Sequence, residues 1–123
     1  MKPKPDYQRF EMLNSAWNAA CLMIDDKGKP LEDMDVAVSR FLKRKACASL
    51  PKDDCVSAFT VSIDIAQTTF SFMRSQCGHN QPIASRRYQQ LLALANQIEN
   101  KFPQADMLLV MAACRLLENH WDR

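Results

Sequence analysis

The sequence predicts an all-α fold, a single-domain bundle of about five antiparallel helices. Three observations predict it. Apolar residues recur at +3/+4 spacing through five successive segments, roughly 6–25, 31–48, 52–77, 82–101 and 103–121. The breaks between these segments are short, polar and marked by proline or glycine, as between antiparallel neighbours in an up-and-down bundle. The chain also holds only two glycines, Gly28 and Gly78, too few for the turns of a sandwich, a barrel or a phosphate-cradling loop. A chain of 123 residues builds one core. Residues 1–5, whose prolines oppose helix, are expected to form a disordered lead, and 6–123 a single helical domain.

The first helix follows from the stripe Phe10, Leu13, Trp17, Ala20 and Ile24. Asp6 is suited to cap its start, and the polar turn Asp25 to Pro30 to end it. The second helix opens at Pro30 or Leu31. Proline is tolerated at the first helical position, and Glu32, Asp33 and Asp35 favour the positive pole of the dipole. Leu31, Met34, Val38 and Phe41 form its stripe, and it is expected to end near Ala48.

The third segment has two readings. Val56, Phe59, Ile63, Ala66, Phe70, Met73 and Cys77 repeat at helical spacing, and Gly78 stands where a glycine stops a helix. Phe59 to Ile65 also alternates at period two and is rich in β-branched and aromatic residues, which favours a strand. The longer periodicity covers more residues, and Ala66-Gln67-Thr68-Thr69 lacks the glycine or asparagine of a tight hairpin turn, so helix is preferred. As a helix it carries a second stripe, Ala58, Val61, Ile65 and Phe72, about 200° around the axis from the first. It therefore lies between two layers of helices or presents Val61, Ile65 and Phe72 to a partner. The fourth helix begins at Asn80-Gln81-Pro82 and carries Tyr88, Leu91, Leu92, Ala95, Ile98 and Phe102. The fifth contains the longest apolar run, Met107 to Cys114, and is expected to be buried on nearly every face.

Charge is close to balanced, +2 from 16 basic and 14 acidic residues, which announces neither a nucleic-acid nor a membrane partner. The N-terminus leads into no secretory apolar region, and the apolar run in the fifth helix is far short of the ~18–20 residues of a membrane span. Five cysteines without a C-x-x-C read as reduced structural thiols rather than a disulfide framework. These features place the protein in the cytoplasm, with no membrane partner.

Four constellations bear on chemistry. Arg115-Leu116-Leu117-Glu118-Asn119-His120, an R-x4-H string, resembles the motif of the HEPN ribonucleases. The resemblance implies that Arg115 and His120, paired across a dimer, polarise a phosphodiester and shuttle a proton. It covers six residues, and Leu116 stands where the family usually carries a polar residue. Arg74 and His79 share the spacing. Cys77, His79, Cys114 and His120 hold the donor types of a zinc site but not a usual zinc spacing, so no metal is expected. Glu32 and Asp35 could be one half of a magnesium-binding acid set, but no second acid pair follows. No cofactor fingerprint occurs. Lys43, Arg44 and Lys45 close the second helix, and Arg86 and Arg87 open the fourth; brought together, they would make a phosphate-binding patch. With catalytic constellations this sparse, the sequence favours a non-enzymatic binding module. Such a small accessory or regulatory protein docks on a protein partner, or on a second copy, through Val61, Ile65 and Phe72. A nucleic-acid-associated helical subunit comes next, and a ribonuclease third.

Overall fold

The structure, a computed structural model, describes residues 5–76 and 84–121. They form five helices: α1 (Pro5–Met23), α2 (Met34–Leu42), α3 (Lys52–Gln76), α4 (Ala84–Lys101) and α5 (Met107–Trp121). A one-turn 3-10 helix, Lys45–Cys47, lies between α2 and α3. Among the described residues there is no strand, only an isolated bridge between Ile24 and Pro30. The expected endpoints at Cys77, Gly78 and Asn80 to Pro82 lie outside the described residues, as do residues 1–4 of the expected lead. Pro5 is already helical.

α3 is one helix, and its hydroxyls show how a strand-like composition is accommodated. The side chains of Ser62, Thr68 and Thr69 donate to the carbonyls of Ala58, Asp64 and Ile65, at 2.7, 2.9 and 2.8 Å. Each bond runs four residues back, so a buried hydroxyl is satisfied inside its own helix. α3 packs against each of the other four helices. Its first stripe is buried through Phe59, Ile63, Ala66 and Met73, and its second through Ala58, Ile65 and Phe72. Solvent reaches a narrow strip at seven-residue spacing, Ser57, Asp64 and Ser71. Against α3 lies α1, whose Ala16 and Ala20 are fully buried, small enough to let two helix axes come close. Phe41 of α2 stacks on Phe59, ring centroids 4.8 Å apart.

α2 is shorter than the 31–48 expected. The turn before it is bound back to α1: Leu31 N–H donates to the Met23 carbonyl at 2.7 Å and Asp25 N–H to the Lys29 carbonyl at 2.8 Å. The antiparallel bridge of Pro30 to Ile24 keeps this stretch out of helical geometry, and the helix begins after Asp33, itself extended at φ −60° and ψ 137°. At its other end Arg44 adopts extended dihedrals, φ −70° and ψ 148°. The Phe41 carbonyl then accepts from Arg44 N–H and the Cys47 thiol instead of continuing the helix. α5 likewise starts later than residue 103. Phe102 to Asp106 forms the turn, and Asp106 Oδ1 caps the helix by accepting Leu108 N–H at 3.0 Å.

Contacts along the bundle fix the directions. Arg44 meets Ser15 of α1, and Cys47 meets Cys55 near the start of α3. Gln67 donates to the Gly28 carbonyl and Arg74 to that of Lys27, just beyond the end of α1. α1 and α3 therefore run in the same direction. Arg9 pairs with Asp106, so α5 starts at the end where α1 starts. α4 runs antiparallel to α5, with the Cys114 thiol on the Leu91 carbonyl and Arg87 over the Trp121 ring.

Candidate functional site: an apolar groove floored by α5

α5 is not buried all round. Leu109, Val110, Ala113, Leu117 and Trp121 face the core, but Met107 and Met111 are 57% and 59% exposed. Their periodicity explains this: positions 107, 111, 115 and 118 fall on the side of the helix opposite Ala113. α5 lies between α1 and α4 and forms the floor of a groove of about 770 Å³. Phe10, Leu13 and Trp17 of α1 line one wall, Ala95 and Glu99 of α4 the other. The α4 wall continues through Tyr88 and Leu92, on the same helix edge as Ala95 and Glu99 and both exposed. Asn14, Asn18, Arg115, Glu118 and Asn119 give the groove a polar rim. An eight-residue apolar run thus divides between a buried face and an open one.

The thiol in this groove is Cys114. Burial raises its pKa, and the charges of Glu118 and Glu99 raise it further. A thiolate nucleophile needs the opposite surroundings, a cation or a helix N-terminus. Arg115 and His120 are both exposed, five positions apart on α5, hence about 140° apart around the axis. Within one chain their side chains diverge. Arg74 holds the Lys27 carbonyl, and its string partner His79 lies outside the described residues, as does Cys77. Among the described residues no three His, Cys, Asp or Glu side chains converge as metal ligands. Glu32, half of the acid pair, is instead held by Arg40 through two bonds of 2.6 and 2.7 Å.

The sequence-derived anchors fall elsewhere. Ile65 is fully buried at 0% exposure, Phe72 is buried, and Val61 is half-buried against the core. The second face of α3 is thus covered within the chain, and Ile65 and Phe72 are core residues rather than surface anchors. The basic residues do not form one patch either. Lys43, Arg44 and Lys45 are exposed beside the start of α3. Arg86 and Arg87 open α4 next to Trp121, the end of α5 remote from Asp106. The two groups occupy opposite ends of the bundle.

No described helix is long and apolar enough to cross a membrane. Comparison with protein-family models, with curated proteins and with solved structures gave no match.

Proposed function

We propose that this chain is a non-enzymatic helical binding module, a small accessory or regulatory protein that docks a protein partner in the α1–α5–α4 groove. The occupant is an amphipathic helix of that partner, laid along α5. The observation that carries this reading is the gathering of Phe10, Met107 and Met111, all large, apolar and exposed, in one groove, with exposed Tyr88 and Leu92 continuing the helix edge of its α4 wall. Scattered apolar residues are ordinary on a surface, whereas a contiguous set with a polar rim marks an interaction site. The 15 residues of α5 give the floor a length of about 22 Å, four turns of a docked helix. Unbranched methionines in that floor adapt to an incoming apolar side chain. The same reading places the protein in the cytoplasm.

Met111→Glu tests the reading. The substituted side chain points to solvent, so the variant keeps the wild-type circular dichroism and melting midpoint. Its affinity for the protein that co-purifies with the wild-type chain, measured by titration calorimetry, falls roughly thirtyfold or more, the scale of one anchor side chain. Unchanged affinity in a folded variant removes the groove from the interface. Mass measurement of the wild-type assembly separates a foreign partner from a second copy.

A further inference from the structure

Cys47 and Cys55 lie outside the groove and play no part in the docking. Cys55 is fully buried near the start of α3, and Cys47, buried at 6% exposure, ends the one-turn helix above it. The Cys55 thiol faces the Cys47 carbonyl at 4.0 Å, and the Cys47 thiol faces the Phe41 carbonyl at 3.5 Å. The Cys55 side chain thus lies directly against residue 47, which carries the other buried thiol. Neither structural role requires cysteine twice: a small apolar residue such as alanine would fill either site. What two adjacent thiols add is the capacity to join.

We propose that Cys47 and Cys55 are a dithiol–disulfide couple, closing an intramolecular cross-link between the one-turn helix and α3 by exchange with a low-molecular-weight disulfide. The mobile partner is Cys47. It belongs to a single helical turn whose neighbours Lys45, Ala48 and Ser49 are exposed, whereas Cys55 is held in a 25-residue helix. The Cys47 thiolate attacks one sulfur of the small disulfide, and the other sulfur leaves as a thiolate that takes up a proton. The Cys55 thiolate then attacks the Cys47 sulfur of the mixed disulfide and expels the second small thiol, which is protonated in turn. One small-molecule S–S bond and two protein S–H bonds are lost; one protein S–S bond and two small-molecule S–H bonds are gained. The protein is oxidised by two electrons and the small disulfide is reduced by two.

Burial pushes the Cys47 thiol up to about 12, with Cys55 adding to the rise and Arg44 opposing it. The closed fold therefore keeps the pair reduced and slow to react, and exchange proceeds as the one-turn helix opens. Cross-linking fixes the segment that joins α2 to α3 without touching the groove.

The test incubates the folded, reduced full chain with oxidised glutathione and follows intact mass. The expected product is lighter by two hydrogens, carries no adduct, and yields on digestion a peptide pair joined through Cys47 and Cys55. Cys47→Ser and Cys55→Ser each abolish that product, while Cys21→Ser, Cys77→Ser and Cys114→Ser retain it. Glutathione adducts that persist on either thiol without the loss of two hydrogens would overturn the proposal. So would a cross-link joining another pair, or one that forms only in denaturant.

Discussion

Asp25 shows how one side chain shapes a connection. Its Oδ1 accepts the backbone N–H groups of Lys27 and Lys29 at 2.9 and 2.8 Å, closing the turn that follows α1. The Lys29 hydrogen bond is the largest influence holding its carboxyl below the usual aspartate range, with the Lys27 bond and both lysine charges acting in the same direction. A depressed carboxyl contributes stability that is present above its unfolded pKa, near 3.9, and lost as pH falls through the folded value. Asp25→Asn is therefore expected to lower the melting midpoint at neutral pH. The gap to wild type should narrow below about pH 4 and close in stronger acid; a gap independent of pH would deny the carboxylate this role. At the centre of the same turn, Gly28 sits at φ +83°, a conformation that favours glycine over any residue with a side chain. The sequence displayed this turn openly, because glycine, proline and aspartate each have a local reason to be there.

At the scale of elements, α3 and α5 exchange the roles that their sequences suggest. α5 has the greater run of apolar residues and α3 more hydroxyls, so composition points to α5 as the enclosed helix. The structure encloses α3, because Ser62, Thr68 and Thr69 return their hydroxyls to their own helix and small residues let neighbours approach. Hydrophobic periodicity was enough to find all five helices and both α3 stripes. It did not reveal which apolar face finds a neighbour, since that depends on where α1 and α4 lie. Met107 and Met111 at +4 spacing were the available signal for the groove, masked by the apolar residues between them. Two substitutions separate the faces. Ile65→Ala is expected to cost about 2–5 kcal/mol by chemical denaturation, since it leaves a cavity at a fully buried site. Met111→Ala should stay within roughly 0.5 kcal/mol of wild type. Similar losses at the two sites would contradict the assignment of floor and core.

At the scale of the whole molecule, charge is divided along with the helices. Lys43, Arg44 and Lys45 lie beside the start of α3 and Arg86 and Arg87 beside Trp121, so the two groups are expected to contribute independently to any binding of polyanions. Charge reversal of either group should shift the salt concentration that elutes the protein from a heparin column. Combining them should add the two shifts, because distant sites share no partner. A combined shift well above that sum would mean that the groups work as one patch. The parallel pairing of α1 with α3 also bears on how the chain is made. A ribosome releases α1 first, yet the helix that covers most of its buried face is complete only at Gln76, 53 residues after Met23. At ~5–20 residues per second, α1 spends about 3–10 seconds outside the tunnel with Ala16 and Ala20, on its face toward α3, uncovered. The nascent chain thus carries the α1 segment without its main neighbour, and that interval ends when α3 emerges.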